Sequence, residues 1–217
     1  MKDQHIEKLP TSHYRLAGPP DLWAMKRAFQ INFLKHAGLL PQHQLLDFGC
    51  GPQRGGVPLI EYLDPGCYTG MDVREVVLEE GRVQLAEIGL DVRKPRLVHC
   101  GNLPELELGT SFDYVWAFAV LIHLDDEILH EALAAIARHL APDGQFFCNV
   151  NLGNDKSGSW QGFPVVYRTP AFYELAFRRH GLRMTDIGSL MDHGHHHPRL
   201  PREQQDRQRM LRAVRVV

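Results

Sequence analysis

The chain has 217 residues, 44% hydrophobic and 23% charged, with a formal net charge of −2. Such a composition builds a real core and argues against obligate binding to bulk nucleic acid, which leaves a basic footprint. No run of about 18 apolar residues and no signal-peptide pattern is present, so no membrane segment is expected and the setting predicted is the cytoplasm. The four cysteines, Cys50, Cys67, Cys100 and Cys148, form no CxxC pair, and buried thiols are expected rather than a zinc ribbon or a redox motif.

Residues 1–20 are polar and end in Gly18-Pro19-Pro20; they read as an arm or lid ahead of a single domain over 21–217. Asp21 is a suitable cap for a helix in which Leu22, Met25, Phe29 and Phe33 recur at helical spacing, stopped at Gly38. A strand over 44–48 then runs through Leu45-Leu46-Asp47-Phe48 into Gly49-Cys50-Gly51-Pro52-Gln53-Arg54-Gly55-Gly56, and a helix is expected over 56–63. A strand feeding a Gly-rich turn and a helix makes a nucleotide-sized pocket, because the glycines admit a ligand to the backbone and the helix offers N–H groups. The dinucleotide fingerprint G-x-G-x-x-G fails here, since Arg54 stands where its third glycine belongs, and no Gly-Lys-Ser/Thr follows to make a phosphate loop. A plain tight turn is the alternative reading of the same residues.

Alternation continues. Strands are expected at 67–71, 96–100, 112–118 and 145–151, with helices at 74–88 and 125–140. In the last helix Ile128, Leu129, Leu133, Ile136 and Leu140 make an apolar stripe behind a cap at Asp125 or Asp126. Strands alternating with helices predict a parallel sheet with right-handed crossovers. Asn151 to Phe163 is a Gly, Asn and Ser-rich loop at the carboxyl edge of the fifth strand, where ligands bind in open α/β sheets. Thr169-Pro170 opens a helix that ends at Gly181, and Leu182–Leu190 and Arg209–Val217 read as two final strands. The arginines from Arg202 to Arg215 fit a solvated edge strand better than a nucleic-acid patch. Asp192-His193-Gly194-His195-His196-His197 is either a metal-binding cluster, with His193, His195 and His197 as ligands, or a solvated loop; no second ligand cluster completes a dedicated site.

The order Leu45-Leu46-Asp47-Phe48-Gly49-Cys50-Gly51, followed by Tyr68-Thr69-Gly70-Met71-Asp72, resembles the class I S-adenosylmethionine-dependent methyltransferases, in particular those of bacterial small molecules. Arg96 to Asn102, Ser111 to Phe118, Val120 to Leu124 and Leu140 to Phe147 extend the likeness, which runs from about Trp23 to the C-terminus. It implies an α/β three-layer sandwich, Rossmann-like, with a mostly parallel seven-stranded sheet whose last strand is antiparallel, so that 21–217 would be one methyltransferase domain. It also implies S-adenosylmethionine as cofactor. Asp47, Gly49 and Gly51 would shape the methionine end, with Cys50 beside them and Arg54 either pairing with the cofactor carboxylate or serving as a helix-start arginine. Asp72 would take the ribose hydroxyls or cap the next helix. Val73 and Leu103 would flank the adenine, Asn102 would meet its edge or simply make a turn, and Ala117 would close the site.

His123 follows the fourth strand and is either a general base for a hydroxyl acceptor or a residue without chemistry, since methyl transfer from a sulfonium runs largely on positioning. The expected acceptor is a small molecule or saccharide, methylated on oxygen. Ala117-Phe118-Ala119-Val120 stands where an Asn/Asp-Pro-Pro-Tyr/Phe motif would mark amino-group methylation. A protein or RNA acceptor, and a module that binds the cofactor without turnover, are the rival readings; the oligomeric state is left open.

Overall fold

A computed structural model describes residues 22–155, 158–160 and 162–216. They fall into two compact units that divide between Gly101 and Asn102. The expected arm at 1–20 and the cap at Asp21 lie outside the described residues.

The first unit opens with α1 (Trp23–His36). Its buried face carries Trp23, Phe29, Phe33 and Leu34 but also Arg27 and Gln30, while Met25 is only half-buried. The helix therefore covers polar backbone as well as apolar core. Three strands follow, β1 (Leu45–Phe48), β2 (Tyr68–Asp72) and β3 (Arg96–His99), paired in parallel in the order β3-β2-β1. All nine residues of β1 and β2 are buried, as strands covered on both faces must be. The crossovers are α2 (Gly56–Tyr62) and α3 (Glu75–Glu87).

The second unit begins with a 3-10 turn at Leu103–Glu105 and contains β4 (Phe112–Ala117), α4 (Asp126–His139), β5 (Leu140–Asn151), the hairpin β6 (Gly158–Trp160) and β7 (Phe163–Val165), α5 (Pro170–Arg179), β8 (Leu182–Ser189), α6 (Arg202–Asp206) and β9 (Gln208–Arg215). Its strands run β4-β5-β9-β8, with β4 and β5 parallel and β9 antiparallel to both of its neighbours. Three strands in the first unit and four in the second give the expected seven, mostly parallel, with the last one reversed.

Local chemistry explains the helices of this unit. Asp125 caps α4 by accepting from the Ile128 amide at 2.9 Å; acids fill its first turn, and Arg138 and His139 its last, each opposing the helix dipole. Thr169 caps α5 the same way, with Pro170 at the first helical position.

Three expectations are corrected. The fifth strand, expected from 145, starts at Leu140, and Leu140–Gly144 is its first part, paired with β4 through a register shift between Phe112 and Tyr114. The C-terminal arginines do not lie on an edge strand: Arg202 sits in the short α6, and β9 is flanked on both sides by hydrogen-bonded strands. Ile128 is 40% exposed and off the buried face of α4, which is made instead by Leu129, Ala132, Leu133 and Ile136.

Candidate functional site

In the first unit, β1 ends at Phe48 and the Gly-rich loop turns back onto the end of β2. The amides of Gly49 and Cys50 both donate to the Met71 carbonyl, at 2.8 and 2.9 Å, and the Gly51 amide donates to Asp72 Oδ2 at 3.0 Å. Asp72 Oδ1 accepts from the Arg74 amide at 3.0 Å, which organises the start of the segment leading into α3, and Arg74 Nε lies 3.3 Å away. Asp72 is thus buried at the strand tip with its carboxylate held by backbone donors. Gly51 has φ +56°, and no atom lies within 4 Å of where its side chain would begin. Val73, beside Asp72, is 53% exposed. A carboxylate next to open space, under a backbone that turns with positive φ, suits a ligand bearing vicinal hydroxyls.

Asp47 is also buried, and burial pushes its carboxyl up to about 7, against the opposing pull of the Tyr68 hydroxyl and of Arg54. The Tyr68 hydroxyl is hydrogen-bonded to Asp47 Oδ2 at 2.8 Å. The polar face of α1 meets this loop: Arg27 Nε donates to the Arg54 carbonyl at 3.1 Å, and the Arg54 guanidinium sits 5.9 Å from the Trp23 ring. Lys26 is lowered to about 8 by burial and by the charge of Arg54. Cys50 is buried, its thiol pushed well up by burial and the neighbouring acids, which removes it as a nucleophile. The structure therefore brings Asp47, Gly49, Cys50, Gly51, Arg54, Asp72 and Val73 into one neighbourhood.

The second unit holds the other expected residues. Asn102 is exposed, and its carbonyl closes the 3-10 turn by accepting from Glu105; Leu103 is buried. Arg138 Nη2 ties that turn down through the carbonyls of Leu103, Pro104 and Leu106. Ala117 ends β4 and is fully buried, and Trp116 stacks on Phe118 in the core. Beyond Ala117, Ala119 takes φ +59°, its amide donating to Asn149 Oδ1 at 2.6 Å. His123 is half-buried. Its Nδ1 lies 2.7 Å from the Pro164 carbonyl, and a carbonyl only accepts, so Nδ1 donates there, and in the neutral ring Nε2 carries the lone pair. The Phe163 ring lies 6.0 Å from the imidazole.

A cavity of about 560 Å³ opens in this unit between Asp125, Asn154, Tyr167, Arg168 and Phe172, within the region expected to border an acceptor. The side chain of Trp160, in the loop expected at the ligand edge, lies outside the described residues. The histidines do not converge: His193 Nε2 bonds the Ile187 carbonyl, His195 is buried edge-on to Phe118, and His197 Nδ1 accepts from the Arg199 amide. Among the described residues no group of three or more His, Cys, Asp or Glu is placed to hold a metal ion.

Sequence reading missed two buried polar residues here. Asn149 had no motif to mark it. Gln53 did carry a signal, which was a large residue where the loop favours glycine, followed by glycines at 55 and 56.

The strand order and the Gly-rich turn at the end of β1 define a Rossmann-like α/β fold. Residues 45–144 match the model of a methyltransferase domain. An S-adenosylmethionine-dependent methyltransferase from Clostridium acetobutylicum superposes with a TM-score of 0.66 at 14% identity, over 90% of this chain and 92% of that one. A glycopeptide N-methyltransferase matches with a TM-score of 0.66 at 16% identity, over 90% and 97%. Magnesium protoporphyrin IX methyltransferase from Synechocystis, crystallised with S-adenosylmethionine, matches at 0.61 and 18%, over 90% and 78%. Residues 45–144 thus match a methyltransferase domain, and the fold is the one seen in these S-adenosylmethionine-dependent methyltransferases. No helix among the described residues is long and apolar enough to cross a membrane.

Proposed function

We propose that the chain methylates a hydroxyl of a small molecule or saccharide, with S-adenosylmethionine as donor. The first unit's loop fits that donor. Asp72 offers a carboxylate to ribose hydroxyls beside the open face of Gly51, and Arg54, in the same loop, is assigned to the cofactor carboxylate. When bound, S-adenosylmethionine supplies a methyl group on a positively charged sulfur, a reactive electrophile. Asn102 and Leu103, at the 3-10 turn of the second unit, are assigned to the adenine, and Ala117 to the wall of the site. The thiols, none in a disulfide, fit a reducing cytoplasmic setting.

The observation that carries the oxygen reading is the contact of His123 Nδ1 with the Pro164 carbonyl at 2.7 Å. In the neutral ring that contact makes Nδ1 the donor and Nε2 the basic atom suited to take a proton from a hydroxyl. The Tyr167 and Phe172 side of the neighbouring cavity supplies aromatic faces for the acceptor. The reading is tested by titrating the purified protein calorimetrically with S-adenosylhomocysteine, then screening sugars, phenols and amines with a labelled methyl donor. Label in hydroxyl acceptors, lost on substitution of His123, supports it. Label in amines alone moves the function to nitrogen, and binding without any transfer reduces the chain to a cofactor-binding module.

A further inference from the structure

Gln53 is a residue with no solvent exposure, at φ +61°, in a loop built for glycine. A non-glycine residue in the left-handed region costs free energy that something must offset. Two glycines on different helices clear the space for its side chain. A side chain at Gly56, the first residue of α2, would collide with Gln53 Oε1 and come within 2.6 Å of the Tyr68 hydroxyl; one at Gly81 in α3 would stand 2.9 Å from Gln53 Cγ. The seat of Gln53 is therefore shaped by two helices.

What it does there follows from counting protons. Tyr68 Oη lies 2.8 Å from Asp47 Oδ2 and 3.0 Å from Gln53 Oε1, and Gln53 Nε2 lies 3.4 Å from the Gly51 carbonyl. A phenol has one proton, and both of its neighbours are acceptors if Asp47 is ionised. One oxygen pair would then face each other with no proton between them. Rotating the Gln53 amide only moves the conflict, because Oε1 would then face the Gly51 carbonyl. One proton arrangement satisfies every contact. Asp47 Oδ2–H donates to Tyr68, Tyr68 donates to Gln53 Oε1, and Gln53 Nε2–H donates to the Gly51 carbonyl.

We infer that Asp47 acts as the un-ionised acid at the head of this chain of hydrogen bonds, and that Tyr68 and Gln53 are positioning residues that set Gly51 for cofactor binding. The inference rests on the reading of this loop as the cofactor loop. Gly51 is the far end of the chain and is also the residue whose amide meets Asp72, so the proton on Asp47 and the ribose carboxylate act on one peptide segment. The charged and titratable groups facing Asp47 are Tyr68 and Asp72 from β2 and Cys50 and Arg54 from the loop, with Lys26 and Arg27 of α1 set behind Arg54. Burial is the largest influence on the acid and pushes it up, in the same direction as the proton count.

Two measurements test this. Infrared difference spectra of the wild-type protein at pH 6 should contain the carbonyl stretch of a protonated, buried carboxylic acid, and Asp47→Asn should lack it. Absence of that band in the wild type overturns the inference whether or not a cofactor binds. Separately, S-adenosylhomocysteine affinity of the wild type should fall by up to about tenfold per pH unit above pH 7. Asp47→Asn, which has no proton to lose, should bind with no pH slope above pH 7 whatever its absolute affinity, and Tyr68→Phe should bind at least tenfold more weakly than the wild type at pH 6. An Asn variant that shares the wild-type pH slope overturns the inference. If the wild type shows the infrared band but binds no S-adenosylhomocysteine at any pH, the cofactor reading falls and the hydrogen-bond chain stands.

Discussion

The Gly51 amide and Asp72 Oδ2, 3.0 Å apart, join the turn after the first strand to the tip of the second. The bond makes Asp72 serve two ends at once. It stiffens the glycine loop, and it keeps its remaining lone pairs beside the open space over Gly51.

Asp72→Ala should therefore weaken S-adenosylhomocysteine binding by about 1–3 kcal/mol, the value of charged hydrogen bonds lost together. Asp72→Asn should retain part of the loop contact and lose less. Calorimetric titration of the two variants separates them, and unchanged affinity in Asp72→Ala would remove the ribose assignment.

His123→Ala should reduce methyl transfer to a hydroxyl acceptor by roughly a hundredfold or more if its Nε2 takes the proton. Cofactor affinity should be untouched. A loss of only a few-fold, measured as turnover at saturating donor, would return His123 to a purely structural role against Pro164 and Phe163.

Asp47 also links stability to pH. Its folded value of about 7 lies above the unfolded value of about 3.9, so between these limits the folded chain keeps a proton that the unfolded chain has released. Stability from this group is greatest at low pH and declines as pH rises from about 4 to about 7. Urea unfolding of Asp47→Asn should lack this decline and should exceed the wild type above pH 7. A wild-type curve that rises over the same window, after subtraction of the Asn variant, would contradict the buried-acid picture.

Alanine ordinarily favours a helix over glycine by up to about 1 kcal/mol. Gly56→Ala should do the opposite, destabilising by about 1–3 kcal/mol, because its methyl group enters the space of the Gln53 amide and the Tyr68 hydroxyl. Combining it with Gln53→Gly should recover part of the loss, since the Tyr68 hydroxyl stays in place, and a double-mutant cycle in urea would reveal this as coupling.

Arg168 anchors the segment before α5 to the start of α4. Its Nε and Nη2 reach Asp126 Oδ1 at 2.9 and 2.7 Å, Nη2 also meets the Leu124 carbonyl at 2.7 Å, and its guanidinium covers the Phe172 ring at 5.0 Å. Arg168→Met should cost about 2 kcal/mol, drawn mainly from the backbone contact and the ring, since Asp126 is largely exposed to water. Asp126→Ala should cost less than 1 kcal/mol, and the two losses are compared by chemical denaturation.

What was legible in the chain followed how local its causes were. The Asp47-to-Gly51 turn, the Asp125 and Thr169 caps and the stop at Gly181 are each set by neighbouring residues, and each stands where its pattern pointed. Leu140 to Gly144 misled because Pro142-Asp143-Gly144 has turn chemistry, whereas pairing of Leu140 with Phe112 drew the segment into β5. The interior place of β9 could not be read from its arginines, because strand order depends on partners far along the chain. The role of Gln53 was hidden for the same reason. Its justification lies in Gly56, Gly81 and Tyr68, a constellation that exists only after folding.

All four cysteines are buried, Cys50, Cys67 and Cys100 in the first unit and Cys148, with no exposure at all, in the second. A thiol reagent in solution therefore meets no ready target and reacts only as often as the surrounding structure opens. Labelling rates, resolved by mass spectrometry of the separate peptides, become a clock for breathing of each unit without any introduced probe. The Cys50 clock, seated in the glycine loop, should slow when a ligand closes over that loop, while the Cys148 clock keeps time for β5.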